Sequence, residues 1–359
     1  MSELFVLVPG RIESRSGGYA YDRRMVAGLG TRGWHVEVRE LDSSFPRPTP
    51  RALADAADAL AAAPAGALVL IDGLAFGAMP EQVEREASRL TIVALIHLPL
   101  ADDPALDRQT AALLGESERR ALAAASLVVV TGASTVSRIA NLGVPRDSIV
   151  VVEPGTDRAA VARGSIGAPL HLLSVAALTP GKGHEVLVRA LAAIPHRNWL
   201  LTCAGSLDRD PGTVARVRAS LREHALESAV SLAGELDEQS LEVCYNSADL
   251  FVLATLHETY CMAVAEALAH GLPVVSTRTG AIPDLIRAGD DQQRAGVLAE
   301  PGDVTGMTEA LDAVIGDATL RARLAAGALR VRDRLPTWDD AVDRMIAALT
   351  RVGVAHHVR

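Results

Sequence analysis

Lysine is almost absent from this chain of 359 residues: of its 35 basic residues, 34 are arginine and the remaining one is Lys182. Arginine-for-lysine usage on this scale, with abundant alanine, suggests a GC-rich, bacterial genome. A lysine that persists against it is a candidate for a place that needs a compact, mobile point charge. Aromatic residues make up 3% of the chain, so rings that would stack on bases are scarce. Positive surplus is absent too: residues 1–160 hold 16 arginines against 20 acids, and residues 161–359 hold 19 basic residues against 24, for a net charge of −9. Neither half has a nucleic-acid footprint. The three cysteines (Cys203, Cys244, Cys261) lack metal-ligand spacing and even pairing, which fits reduced thiols in a cytoplasmic protein. No apolar run approaches the roughly 18 residues that cross a bilayer. The start, Ser2-Glu3 and then Leu4-Phe5-Val6-Leu7-Val8, reads as a first buried strand rather than a leader peptide.

What fills the chain is apolar residue, 49% of the total. The length suits two α/β domains. Short apolar runs at 4–8, 35–38, 68–71, 92–96, 127–130 and 149–152 alternate with helical patterns, for example at 19–29 and 51–63. Continuous runs of this kind mark parallel strands covered on both faces. Small residues and turn formers from Glu153 to Pro169 read as a linker. The rhythm then resumes with strands at 170–175, 199–203, 230–232, 250–253, 274–276 and 296–298, and ends in an amphipathic helix at 338–349. The expectation is an amino-terminal domain over 1–160, a carboxyl-terminal domain over 161–335 and a final segment, 336–359. Both domains are Rossmann-like and doubly wound, facing a cleft.

Open sheets of this type bind ligands beyond the carboxyl ends of their strands, so residues directly after each strand come first. Gly17-Gly18 opens the first helix, where paired glycines let backbone N–H groups approach an anion. Gly28-x-Gly30-x-x-Gly33 has dinucleotide-fingerprint spacing but follows a helix, so it reads as a helix stop and argues against a dehydrogenase. His97 follows the strand at 92–96, where it can bind a sugar hydroxyl or be structural. In Thr179-Pro180-Gly181-Lys182-Gly183-His184 the single lysine sits between glycines at a helix mouth, a phosphate cradle although not a P-loop. After the strand at 250–253, Glu258 stands at a helix opening near Thr259, and Glu266 follows eight positions on, roughly 12 Å along a helix. Glu266 has apolar neighbours and needs a partner. Asp208-x-Asp210 reads as a solvated turn before Pro211. His356-His357 supplies only two potential ligands, so no metal is expected. Phe45, among Pro46, Arg47, Pro48 and Pro50, reads as a surface turn, with an acceptor- or membrane-facing loop as the alternative.

Taken in order, these pieces resemble glycosyltransferase family 4, the retaining enzymes of the GT-B fold. The resemblance rests on Gly17-Gly18, His97, Val152-Glu153-Pro154-Gly155, Pro180-Gly181-Lys182-Gly183, Glu258-x₇-Glu266, Gly271-Leu272-Pro273 and Pro301-Gly302-Asp303. It implies a metal-independent transfer of sugar from a nucleoside diphosphate-sugar, UDP favoured over GDP, to an unidentified acceptor, without a cofactor. Lys182 would bind the donor diphosphate, with Gly17, Gly18 and the stretch Thr259-Tyr260-Cys261-Met262. Glu258 would contact the transferred sugar, Glu266 the ribose, and His97 the reacting sugar. The final helix would cross back onto the first domain. Two positions depart from the pattern: Ala176-Ala177 replaces the usual Gly-Arg, and Thr259 and Cys261 replace glycines. Arg11 or Arg15 is the candidate for the missing second diphosphate cation. A GT-B sugar-nucleotide epimerase, or a non-catalytic nucleotide-sugar-binding relative, is the alternative reading.

Overall fold

The computed structural model describes residues 2–165, 167, 169–287 and 294–356. Ile166 and Ala168 of the expected linker, and His357, lie outside them. The chain forms two compact units, Met1–Gly155 with Pro336–Arg359, and Thr156–Leu335.

In the amino-terminal unit the strands are β1 (Glu3–Pro9), β2 (His35–Leu41), β3 (Leu68–Asp72), β4 (Thr91–Ile96), β5 (Leu127–Val130) and β6 (Ile149–Val151). The helices between them are α1 (Gly17–Thr31), α2 (Pro50–Ala62), α3 (Gly73–Phe76), α4 (Pro80–Glu86), α5 (Arg108–Ala123) and α6 (Ala133–Asn141). All pairings are parallel, in the order β2-β1-β3-β4-β5-β6. Every residue of β3, β4 and β5 is buried, which is why the runs 68–71, 92–96 and 127–130 within them are continuously apolar. Edge strand β2 is only partly covered, with three of its seven residues exposed and one buried.

The carboxyl-terminal unit repeats the plan. Its strands are β7 (Leu170–Val175), β8 (Trp199–Ala204), β9 (Val230–Gly234), β10 (Leu250–Val252), β11 (Val274–Thr277) and β12 (Gly296–Ala299). They pair in parallel in the order β12-β11-β10-β7-β8-β9. Helices α7 (His184–Ala193), α8 (Pro211–Glu223), α9 (Glu238–Ser247), α10 (Met262–Ala269), α11 (Ile282–Leu285), α12 (Val304–Gly316) and α13 (Ala318–Arg332) cover the sheet. The last helix, α14 (Trp338–His356), belongs to the amino-terminal unit, where Ala341, Val342, Met345 and Leu349 join the cluster around Leu4, Val6 and Met25.

Three local expectations change. The boundary falls at Gly155 rather than 160. The segment after it is held by the second unit: the Ala162 and Arg163 amides donate to the His270 and Asn246 carbonyls, and Ser165 to Asp249. Gly28 and Gly30 lie inside α1, and the stop is Gly33 at φ +85°. A Cβ at Gly28 would lie 2.3 Å from Val342, so this glycine lets α14 pack on α1. Phe45 is buried with Phe5, Leu41 and Ala52, and is no exposed loop tip. Asp210 caps α8, accepting from the Thr213 amide at 2.6 Å, which uses its carboxylate in the helix start.

A wholly buried carboxylate, Glu118 of α5, accepts from the Leu100 amide with both oxygens, at 3.2 and 3.1 Å, and so pins the chain just after β4. Burial pushes its pKa from 4.5 to about 7. An acid raised on folding binds its proton more tightly in the native state. Its contribution to stability is therefore full below 4.5 and is lost as pH rises towards 7. Relative to Glu118→Gln, the native chain is expected to lose a few kcal/mol over that interval in denaturant titrations. Parallel pH profiles for the two proteins would remove Glu118 as the cause.

Candidate functional site

Each sheet has a point where strand order reverses around its first strand, and the crevice beyond the carboxyl ends at that point is where such sheets bind ligands. In the carboxyl-terminal unit it falls between β7 and β10. The chain leaving β7 makes a single helical turn over Pro180–Lys182 and enters α7 at Gly183, which sits in the left-handed region at φ +64°. A Cβ there would lie 1.9 Å from the Ala254 carbonyl oxygen, on the loop leaving β10. The Leu256 amide donates to the Gly181 carbonyl at 2.7 Å, so the two loops are tied backbone to backbone.

This contact brings Lys182 and Glu258 together. The ammonium lies 2.6 Å from Glu258 Oε1, and the Thr255 hydroxyl is 3.0 Å from the same oxygen. One third of the lysine side chain and one tenth of the glutamate's is exposed. Burial works against the ammonium, but the Glu258 carboxylate outweighs it and the Lys182 pKa is raised.

The helix after Glu258 begins at Met262, three residues later than Thr259. Residues Glu258 to Cys261 are an irregular loop, so the separation of Glu258 from Glu266 is not a helical rise over eight residues. The loop is non-helical because Gly280 packs on it: a Cβ at Gly280 would meet the Glu258 and Thr259 carbonyls at 2.3 and 2.8 Å. The Ala281 amide also donates to the Thr259 carbonyl. Cys261 takes the left-handed conformation, φ +78°, that glycine adopts without strain. Burial keeps its thiol pKa well above the usual range, with Glu258 acting the same way. Tyr260 is buried and Met262 half-buried.

Glu266 has its partner in Tyr245 of α9, whose hydroxyl donates to Oε2 at 2.9 Å. The Tyr245 ring stacks on His270 with centroids 4.5 Å apart, and His270 Nε2 lies 2.9 Å from Glu242. Two aromatic rings thus hold the second glutamate of the pair in place.

In the amino-terminal unit the reversal lies between β1 and β3. Gly17 opens α1 behind the Ser16 cap. Gly18 faces the ring of His97: an added Cβ would be 3.3 Å from Cδ2. His97 follows β4 directly, and its Nε2 lies 3.0 Å from Asp22 Oδ1 and 3.5 Å from Asp72 Oδ2. Arg11 and Arg15 are both exposed on the loop between β1 and α1, with Arg11 3.9 Å from Glu13.

Sequence reasoning missed Thr255, Tyr245, Gly280, Asp22 and Asp72. Asp72 was open to the rule that singled out His97, since it closes the apolar run 68–71. Asp22 stands between Tyr21 and Met25 on the buried face of α1, an acid where the pattern calls for an apolar residue.

Residues 169–317 match the family model described as glycosyl transferases group 1. The D-inositol 3-phosphate glycosyltransferase of Xylanimonas cellulosilytica is 29% identical over 251 residues, 65% of this chain and 58% of that protein. The chain thus spans a little over half the length of that curated relative. Sucrose-phosphate synthase of Thermosynechococcus elongatus superposes with a TM-score of 0.81 at 20% identity, over 99% of this chain and 100% of that one. HepE of Anabaena, solved with UDP-glucose, gives 0.75 at 16% identity, over 97% and 99%. No described helix is long and apolar enough to cross a membrane. Residues 169–317 are thus similar to the glycosyl transferases group 1 family, and the two sheets have the GT-B fold of these solved structures.

Proposed function

We propose that the protein is a retaining glycosyltransferase that moves a sugar from a nucleoside diphosphate-sugar, UDP favoured over GDP, to an unidentified acceptor, without metal or cofactor. The observation that carries this reading is the Lys182–Glu258 pair at the β7/β10 crevice. A diphosphate is a stronger partner for the ammonium than a single carboxylate. Donor binding therefore draws Lys182 onto phosphate and frees Glu258 to accept hydrogen bonds from hydroxyls of the sugar. The amino end of α7, opened by Gly183, adds roughly half a positive charge beside it. Charge that grows on the departing diphosphate in the transition state meets preorganised positive groups, which lowers the barrier to transfer. Glu266, steadied by Tyr245, takes the ribose hydroxyls. The amides of Thr259 to Met262 contribute to phosphate binding, and the family resemblance gives His97 a role toward the reacting sugar and Gly17 and Gly18 a role toward phosphate. HepE, the structural neighbour solved with UDP-glucose, supports the preference for UDP. The three free cysteines agree with work in the cytoplasm.

Thermal-shift titration with UDP-, GDP- and ADP-sugars tests the donor without knowledge of the acceptor. A UDP-sugar is expected to give the largest rise in Tm. With an acceptor in hand, turnover should survive EDTA and the product should keep the anomeric configuration of the donor. Loss of activity on chelation, restored by Mn²⁺, would overturn metal independence. Binding of no nucleotide sugar would overturn the reading itself.

A further inference from the structure

Beyond the carboxyl ends of β3 and β4, three ionisable side chains from three separate elements meet away from solvent. Asp22 comes from α1, Asp72 closes β3, and His97 follows β4. Their contacting atoms lie within 4.8 Å of one another. The carboxylate side chains are 1% and 5% exposed, whereas that of the histidine is 21% exposed. Both carboxylates address the same ring nitrogen: Nε2 is 3.0 Å from Asp22 Oδ1 and 3.5 Å from Asp72 Oδ2. Nδ1 has no hydrogen-bond partner among the described residues.

The two acids are held differently. Asp72 uses its other oxygen to cap α3, accepting from the Leu74 amide at 2.8 Å, so it is fixed by the backbone. Asp22 Oδ2 is buried with no hydrogen-bond partner among the described residues. Leaving such an oxygen unsatisfied costs about 1–3 kcal/mol. A leucine of similar size at this helical position would avoid that cost. The ring itself is boxed in. Gly18 lies against its face, and Tyr21 meets it edge-on at 5.3 Å. Tyr21 is anchored in turn by the Val152 carbonyl and by Trp338, over which Arg24 lies.

We propose that Asp22 and Asp72 are positioning residues for His97: they grip the imidazole through Nε2 alone, fix that nitrogen as the proton-bearing one, and leave Nδ1 as the atom that meets a substrate hydroxyl. The substrate half of this statement rests on the transfer reading above, and the orientation half stands without it. The titratable groups facing the ring are Asp22 and the neutral phenol Tyr21 from α1 and Asp72 from β3. Burial acts to lower the histidine's pKa, but Asp22 and Asp72 outweigh it and raise it. Burial and the repulsion of Asp22 bring Asp72 to about 7. The histidine and Asp72 therefore both hold their protons to higher pH than independent groups would. Asp22 and Asp72 are the source of that property, and a histidine that only fills space would not have it.

Imidazole ¹⁵N NMR of the full chain tests orientation directly. In the wild type, His97 is expected as a single neutral tautomer with Nε2 protonated, titrating above the ordinary imidazole range. Asp22→Asn should lower that titration and mix the tautomers, and Asp72→Asn should lower it without mixing them. A wild-type His97 with mixed tautomers, or with an ordinary titration, overturns the proposal even if neither variant folds. So does a stoichiometric divalent metal, found by elemental analysis, whose removal shifts the His97 resonances, because the three groups would then be metal ligands. Under transfer conditions Asp22→Asn should lower kcat by roughly tenfold or more, leave the donor KM within about threefold, and displace the pH profile with the His97 titration. Unchanged kcat and pH profile overturn the substrate half. If the wild type binds no nucleotide sugar, the transfer reading fails while the NMR result still decides the orientation.

Discussion

Glu258→Gln is expected to lower transfer by about 100-fold while nucleoside diphosphate affinity stays level or tightens several-fold. The reason is the ion pair: Glu258 Oε1 sits 2.6 Å from Lys182 Nζ, so the carboxylate competes with the diphosphate for the only lysine. Removing its charge ends the competition but also replaces a charged, two-oxygen acceptor for sugar hydroxyls with a neutral amide that has one acceptor oxygen. A loss of 100-fold corresponds to about 2.7 kcal/mol of transition-state stabilisation, the size typical of one lost charge-assisted contact. Lys182→Ala should do the reverse to binding, weakening nucleotide affinity by about tenfold or more, on the order of 1.4 kcal/mol. The two effects should not add in the double variant, since each single change disrupts the same pair. Calorimetric titration with UDP and steady-state kinetics on the three variants decide the matter. A Glu258→Gln protein with wild-type turnover would remove this residue from the site, and additive binding effects would disconnect it from Lys182.

Gly183→Ala should cost more than any surface change in the molecule, about 3–5 kcal/mol. Two penalties coincide. The residue sits at φ +64°, which costs a side chain about 1 kcal/mol, and its Cβ would stand 1.9 Å from the Ala254 oxygen, backbone that cannot swing aside. The loops from β7 and β10 would have to separate. Calorimetry should show Tm lower by about 10 °C, with nucleotide binding lost in the same variant. Gly30→Ala is the control: Gly30 lies within α1 with nothing inside 4 Å, so alanine should stabilise by about 0.5–1 kcal/mol. Equal effects at the two glycines would show that neither the close approach nor the left-handed backbone matters.

Much of the fold was legible in the chain because its strands are covered on both faces. The runs 68–71, 92–96 and 127–130 within β3, β4 and β5 are apolar at every position, and no alternating register has to be inferred. Lys182 was legible for a different reason, being a chemical exception within its own composition and flanked by glycines at a helix mouth. The helix start at Met262 was not legible. Thr259 and Tyr260 carry no signal against helix, and what holds their backbone open is Gly280, from a loop about 20 residues further on. Gly28 was misread for the same kind of reason, since its purpose is Val342, a residue in another helix.

The sequence by itself determined two α/β sheets and marked Lys182, Glu258, Glu266 and His97 as residues beyond strand ends, because helical periodicity, continuous apolar runs and turn chemistry are local properties. Tertiary structure alone decided which of these meet. Lys182 and Glu258 are 76 residues apart and come together because β10 pairs with β7; Asp22 and His97 are 75 apart and come together beside β3 and β4. Strand order is hidden from sequence because backbone hydrogen bonds carry no residue label. A strand buried on both faces presents the same apolar surface whichever neighbour it takes, so only the packing of the whole sheet selects the order, and with it the crevice where the charged side chains converge.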